Sequence, residues 1–292
     1  MEKESIFELV TRELLDRQLT HRSEKHLIQD QVPKAILAHD FIANQIQING
    51  VYEREELIAL FEFLGPFKDK FAQGTALDVG ANIGNHTRYF SDFFSKVHAF
   101  EPVKDTFQVL QFNTQKISCI DIHNIALGVV DKKARIFSSN LNIGGARILR
   151  EESNDNFSEE VQVKKLDTLE LDLSALKFMK IDVEGFEFEV LSGALKVITG
   201  QHPVITIEQW PSDFTNEYSP SINLLREIGY EFFWKKNYST SSSKTISLLS
   251  KIYQRLTNRR KWYFVNSSFV PPGYYPMLVA IHLDDLQLLK YN

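Results

Sequence analysis

The apolar positions of this chain change period at about residue 75. Before it they fall at helical spacing. Ile6, Leu9, Val10, Leu14 and Leu15, with charges between them, predict a helix over residues 1 to about 30. Residues 38–48 form a second apolar-rich piece that ends in the turn signal Asn49-Gly50. Leu57, Leu60, Phe61 and Leu64 share one face of a predicted helix over 53–64, which Gly65-Pro66 stops.

After residue 75, short apolar runs alternate with helical stretches. Strands are predicted at 76–79, 97–100, 120–126, 178–183 and 204–207. The intervening helices are predicted at 85–94, 104–115, from 186 to near Gly200, and at 221–228. Strands alternating with helices argue for an α/β fold with a mostly parallel, doubly wound sheet. Residues 232–234 and 277–283 read as two final strands, an antiparallel hairpin at the sheet edge. Two segments interrupt the alternation. Between 127 and 173, the runs 134–137 and 161–163 surround Gly144-Gly145 and the acidic stretch 151–160, which predicts an inserted hairpin plus loop. Between 235 and 275 lie a polar linker at 238–243, an amphipathic stretch at 246–256, and the basic-aromatic cluster Arg259, Arg260, Lys261, Trp262, Tyr263 and Phe264. The expected organisation is a helical extension over 1–65 and one larger unit over 66–292 carrying both insertions. No internal repeat is present.

The 292 residues suffice for one large or two small domains. The net charge of −5 offers no basic field for nucleic acid, so no nucleic-acid partner is expected. Cys119 is the single cysteine, so no intrachain disulfide forms. No apolar signal core opens the chain and no apolar run reaches membrane-span length. A cytoplasmic enzyme is the simplest expectation, inferred from those absences.

The stretch that predicts chemistry is Asp78-Val79-Gly80-Ala81-Asn82-Ile83-Gly84-Asn85-His86-Thr87. A buried strand, a glycine turn and a helix open a nucleotide-binding βαβ unit. Gly80 lets the backbone turn sharply beside a ligand. The next strand ends in Glu101-Pro102, where an acidic side chain can accept hydrogen bonds from both ribose hydroxyls. A dinucleotide loop wants G-x-G-x-x-G to seat a pyrophosphate. Here Asn82 and Asn85 occupy the second and third glycine positions. S-adenosylmethionine carries an adenosine and no phosphate, so the loop fits it better than NAD.

These blocks, with Ala99-Phe100-Glu101-Pro102 and Lys180-Ile181-Asp182-Val183-Glu184-Gly185-Phe186-Glu187, resemble the FkbM family of S-adenosylmethionine-dependent methyltransferases. The match runs from about residue 49 to about 208, with its three blocks in the family's order. The resemblance implies a Rossmann-like class I methyltransferase fold and, for most members, O-methylation of a sugar or polyketide hydroxyl. It places the cofactor against Asp78, Gly80, Ala81, Asn82, Gly84, Asn85, His86, Thr87, Glu101 and Pro102. Ala126 and Leu127, at the end of the third strand, fall where the adenine edge lies. Asp78 is expected to order the loop and reach the methionine end.

A sugar hydroxyl is weakly acidic, so transfer calls for a positioned base or a metal. Asp182, Glu184 and Glu208 sit at the carboxyl ends of two predicted strands, where ligands bind in such sheets. They can act as the base, ligate a hard divalent ion, or hold the cofactor's ammonium, and Asp182 is also a cofactor contact. Asp182 or Glu184 is the expected proton acceptor. Glu187 and Glu189 are expected only to favour the positive end of the helix they begin. One cysteine and scattered histidines give no zinc spacing, so no such metal site is expected. The expected acceptor is a small molecule or glycan, a sugar hydroxyl in a glycan or glycolipid. Arg259, Arg260 and Lys261 offer a contact to an anionic glycan or membrane surface. The rival functions are a catalytically inactive cofactor-binding partner subunit and an NAD-dependent reductase.

Overall fold

The computed structural model describes residues 5–30, 33–38, 40–139, 142–148, 158–237 and 262–291. Its first helices are α1 (Ile6–Asp30), α2 (Phe41–Asn49), α3 (Arg54–Phe63) and α4 (Lys68–Ala72), with a 3-10 turn at Gly65–Phe67 between the last two. α1 is exposed along its length, Ile6 and Phe7 being 81% and 79% accessible. Its C-terminal part is tied down by Arg22, which donates to the Ile48 carbonyl at 2.6 Å. α3 is different: Leu57, Leu60 and Leu64 are fully buried against Phe67, Phe71, Phe90 and Phe178.

The alternation that follows is β1 (Thr75–Val79), α5 (Asn85–Phe90), β2 (Lys96–Phe100), α6 (Lys104–Thr114), β3 (Ile120–His123) and β4 (Ala126–Leu127). β5 (Lys132–Ser139), β6 (Asn142–Ile148) and β7 (Ser158–Lys164) come next, then β8 (Leu176–Ile181), α7 (Glu187–Gly193), α8 (Leu195–Gln201) and β9 (Val204–Gln209). The chain closes with α9 (Pro220–Glu227), β10 (Tyr230–Asn237), β11 (Trp262–Asn266), β12 (Tyr275–His282) and a 3-10 run at Leu283–Tyr291. Eight strands form one sheet in the order β11-β10-β12-β9-β8-β1-β2-β3. β9 through β3 in that order run parallel, and β12, β10 and β11 add an antiparallel flank.

Both faces of this sheet are covered, which is why β1 reads as an unbroken buried run. Leu77, Val79, Met179, Ile181, Ile205 and Ile207 pack against Val190, Leu191, Ile198 and Leu225 of α7, α8 and α9. Ala76, Phe178, Val97 and Val204 face the opposite way, toward α3, α4 and α5. The mostly parallel doubly wound sheet is therefore as the residue pattern predicts.

Several element boundaries differ from expectation, each for a local reason. The third predicted strand splits: the Asn124 side chain donates to the carbonyls of Glu101 and Pro102, and beyond it β4 pairs with β7 in a separate sheet. The insertion is thus a four-stranded sheet, order β4-β7-β5-β6, rather than one hairpin. The helix predicted from 186 to 200 is two helices. Gly193 packs so tightly on the Gly128 backbone that a Cβ there would lie 2.0 Å from the Gly128 oxygen. β12 is not at an edge: it lies between β9 and β10, and the edge strand is β11, which begins in the aromatic cluster. Arg259, Arg260, Lys261, the polar linker and the amphipathic stretch at 246–256 fall outside the described residues. Among the described residues no helix is long and apolar enough to cross a membrane.

Candidate active site

A cleft of about 1080 Å³ opens at the carboxyl ends of β1, β2, β8 and β9. Its floor is the glycine turn. Gly80 has φ +80°, and a Cβ on it would fall 1.8 Å from the Asp182 carbonyl oxygen, so the two loops approach as closely as bare backbone allows. The N–H groups of Gly80 and Ala81 both donate to the Phe100 carbonyl at 3.0 Å. Asn82 takes a left-handed φ of 50° and donates its N–H to Glu101 Oε2 at 3.0 Å. The Val103 N–H donates to Glu101 Oε1 at 2.8 Å. Each carboxylate oxygen thus accepts one amide and keeps a lone pair for a ligand hydroxyl. Burial drives the Glu101 pKa up to about 7, against the lowering effect of those two amides.

Of the residues expected to touch the cofactor, Gly80, Ala81, Asn82, Asn85, His86, Glu101, Pro102, Ala126, Leu127 and Asp182 line this cleft. Asp78, Gly84 and Thr87 do not, and their roles lie beneath it. Asp78 is fully buried because strand alternation turns it toward α5, where its Oδ2 accepts from Thr87 Oγ1 at 2.6 Å. Lys180 is its cross-strand partner, with Nζ 3.6 Å from Asp78 Oδ1 and 3.0 Å from Asp182 Oδ2. Gly84 caps α5 at φ +85°.

Asp182, Glu184 and Glu208 do converge. Each offers an oxygen, and these oxygens lie within 4.8 Å of one another. Glu184 reaches the group from a left-handed turn, φ 54°. That turn is held by Glu187, whose Oε1 accepts from the N–H groups of Val183 and Gly185 at 3.2 and 3.1 Å. Glu187 is therefore a buried brace for the loop as well as an acidic residue in the first turn of α7. Burial, then the charges of Asp182 and Glu184, push the Glu208 pKa up to about 9, so it keeps its proton at neutral pH. Burial also acts to raise Asp182, but the Lys180 ammonium outweighs it and holds that carboxyl ionised. Burial opposes the charge on Lys180 in turn, and Asp182 and Asp78 overcome it. Tyr274 donates its hydroxyl to Glu208 Oε1 at 3.2 Å and packs on Trp210 with ring centroids 4.3 Å apart.

The residue pattern gave no sign of Tyr52, Glu53, Lys180 and Tyr274 as site residues. Asn85 explains the first two: its side chain accepts from the Tyr52 N–H at 2.9 Å and donates to the Tyr52 carbonyl at 3.1 Å, locking the segment before α3 over the cleft. Glu53, at φ 54°, brings Oε2 to 3.4 Å from His86 Nε2, and burial lifts its pKa to about 7. His86 is kept neutral, its pKa pulled to about 3 by burial and then by Lys180. Two histidines distant in sequence also meet, away from the cleft. His202 and His282 stack at 3.6 Å, each with Nδ1 within 3.3 Å of Asp284 Oδ2.

The family model described as Methyltransferase FkbM domain matches residues 78–232. The chain belongs to the FkbM methyltransferase family. The family match ends short of Tyr52, Glu53 and Tyr274, so part of the site lies outside it. A relative described as Methyltransferase 1, from Beauveria bassiana (strain ARSEF 2860), is 26% identical over 185 residues, 55% of this chain and 69% of that protein. Among solved structures, an FkbM methyltransferase from Methylobacillus flagellatus KT aligns with 91% of this chain at 15% identity and a TM-score of 0.40. The chain spans 60% of that structure's length. A magnesium protoporphyrin IX methyltransferase from Synechocystis PCC 6803, solved with bound S-adenosylmethionine, aligns with 91% of this chain and 96% of its own at 8% identity and a TM-score of 0.43. The sheet order and the family membership make the fold that of a Rossmann-like methyltransferase.

The cofactor of this family is S-adenosylmethionine, and the cleft suits it. Glu101 offers two acceptor oxygens for a ribose. Val103, Ala126 and Leu127 supply an apolar wall that would suit an adenine, and the close-packed glycine turn lines the cleft with bare backbone.

Proposed function

We propose that this FkbM-family protein is an S-adenosylmethionine-dependent O-methyltransferase whose acceptor is a hydroxyl group on a sugar ring of a glycan or glycolipid. The observation that carries the reading is the pairing of two features in one cleft. Glu101, seated on two amides, is shaped for a ribose, and the acidic rim of Asp182, Glu184 and Glu208 lines the same cleft. When bound, S-adenosylmethionine supplies a methyl group already activated on a sulfonium. The residues must then hold the acceptor in line and take up its proton. Glu101 and the 80–84 turn fix the donor's orientation. Asp182, held ionised by Lys180, takes the hydroxyl's proton, and Glu184 stands beside it. Glu208 keeps its own proton at neutral pH and so is not the base. Ile42, Tyr52 and Glu53 wall the cleft on the N-terminal side. The net charge of −5 speaks against a nucleic-acid acceptor.

The test is to incubate the protein with methyl-labelled S-adenosylmethionine and a panel of glycosides and glycolipids, following label transfer and S-adenosylhomocysteine. The reading expects an acceptor-dependent product carrying a base-stable methyl ether. Label transferred to nitrogen or carbon instead would remove the O-methyl assignment. Cofactor that binds without turnover on any acceptor would favour the inactive partner subunit.

A further inference from the structure

We propose that Glu53, together with His86, binds the ammonium group at the amino-acid end of the cofactor. The proposal rests on the cofactor reading of the cleft, and it adds a residue that precedes the matched family segment.

The first ground is position along the cleft. Glu101 and Val103 follow β2, and Ala126 and Leu127 follow β3. Asp182 follows β8, which lies on the opposite side of β1. Glu53 lines the cleft on that second side: the charges acting on it include those of Asp182 and Lys180, and its Oε2 lies 3.4 Å from Nε2 of His86 in the first turn of α5. An adenosine seated at Glu101 leaves its amino-acid chain to run past the glycine turn toward this end. The second ground is placement. Glu53 holds a left-handed φ of 54°, and the pairing of Asn85 with the Tyr52 backbone keeps it over the cleft. Such a conformation is disfavoured for a residue with a side chain, and it is maintained here where it aims a carboxyl inward.

The tautomer of His86 supplies a separate ground. The ring is 6% accessible and neutral. It bonds the Tyr52 backbone in a way that favours the charged ring, which marks the bond as donation to the Tyr52 carbonyl. Its Nε2 has no hydrogen-bond partner, so Nδ1 makes that bond and carries the single ring proton. Nε2 therefore turns a bare lone pair toward Glu53 Oε2. Once Glu53 is ionised, two buried acceptors face each other with no proton between them, an arrangement that is costly unless a donor satisfies both. Burial lifts the Glu53 pKa to about 7, so the free protein meets this cost by keeping the carboxyl partly protonated near neutral pH. An ammonium brings three N–H donors and a positive charge, which suit both acceptors. The cations near Glu53 are committed elsewhere, Lys180 to Asp78 and Asp182 and Lys235 to Glu56. Other carboxyls fit less well: Asp78 lies beneath the cleft, Asp182 is paired with Lys180, and Glu208 keeps its proton.

Two ligands and one variant test this by calorimetry on the full chain. 5′-Methylthioadenosine keeps the adenosine and the sulfur of S-adenosylhomocysteine and lacks its amino-acid chain. Glu53→Gln removes the charge and keeps an acceptor oxygen. It should weaken S-adenosylhomocysteine about tenfold or more and leave 5′-methylthioadenosine within about twofold of wild type. Wild-type titrations at about pH 6.5, repeated in buffers of different ionisation heat, count the protons exchanged. S-adenosylhomocysteine should release more protons than 5′-methylthioadenosine, the excess being what Glu53 gives up, because any proton from Glu101 is common to both. This second arm decides the matter if the variant fails to fold, which loss of both ligands would reveal. Unchanged or tighter binding of S-adenosylhomocysteine by Glu53→Gln, or equal proton release by the two ligands, overturns the proposal. If wild type binds the two ligands equally well, the ammonium site falls and the cofactor reading stands. If wild type binds neither, the cofactor reading itself falls.

Discussion

Glu187 illustrates what one buried carboxyl does here. Sequence spacing gives it a generic role, favouring the start of a helix. In the fold it holds the Val183 and Gly185 amides and so fixes the loop that presents Glu184. Its pKa is raised by burial from an ordinary 4.5 to about 7. The folded chain therefore binds this proton more tightly than the unfolded chain. The associated stability is complete below about pH 4.5 and is lost as pH rises through about 7. The change amounts to at most about 3 kcal/mol, by the usual conversion of pKa units to free energy. Glu53 and Glu101 shift in the same direction to about 7 and add to the same window. Burial pulls the His86 pKa to about 3 and the His98 pKa to about 4, which acts the other way below about pH 6.5, so thermal melts should show Tm falling only from about pH 6.5 to pH 8. Glu187→Gln keeps the acceptor and cannot titrate, so it should flatten part of that fall. A wild-type Tm that rises over this window would contradict the assignment. At this scale Glu101, Asp182, Glu184 and Glu208 are legible from their positions after strands. Lys180 stands in a recognisable motif but shows no role there, because only the β1–β8 register sets it opposite Asp78.

Elements follow the hydrophobic period closely where they are long and buried, and depart from it where backbone meets backbone. The helix predicted from 186 to 200 breaks because α7 rests on the second sheet through Gly193 and Gly128. No local pattern announces a contact between glycines 65 positions apart. Gly193→Ala puts a methyl 2.0 Å from a carbonyl oxygen. Nothing flexible can yield there, so a loss of roughly 2–3 kcal/mol is expected, as for an overpacked core. Denaturant unfolding of the variant measures it, and a midpoint equal to wild type would show that α7 can shift off the Gly128 backbone at no cost. β11 is hidden for another reason. Trp262, Tyr263 and Phe264 follow three basic residues and read as a surface cluster. Their pairing with residues 235–237 of β10 turns them into an edge strand.

Over the whole molecule, the N-terminal helices divide by burial and not by sequence distance from the sheet. α1 exposes its apolar side chains, while α3 packs its leucines into the core beside Phe178. Removing residues 1–20 should leave Tm within about 2 °C of wild type, because little buried area is lost. Leu60→Ala should cost about 3 kcal/mol, the usual loss for a buried leucine. If the truncation proves as damaging as the core change, α1 contributes to the fold in a way its exposure does not convey. The same division explains why Tyr52 and Glu53 are silent in the sequence. They precede a core helix and reach the cleft only because Asn85, 33 positions on, pairs with the Tyr52 backbone. Long-range closure of this kind leaves no period to read.

The central claim is that the cleft binds a phosphate-free adenosine cofactor through Glu101. Calorimetric titration of S-adenosylhomocysteine into wild type and Glu101→Ala tests it most directly, with NAD as the comparison ligand. Two charge-assisted hydrogen bonds to a ribose are worth roughly 3 kcal/mol together. The account predicts one bound S-adenosylhomocysteine per wild-type chain, about a hundredfold weaker binding in the variant, and no heat from NAD. Equal affinity in the two proteins, or NAD binding in place of S-adenosylhomocysteine, would contradict it.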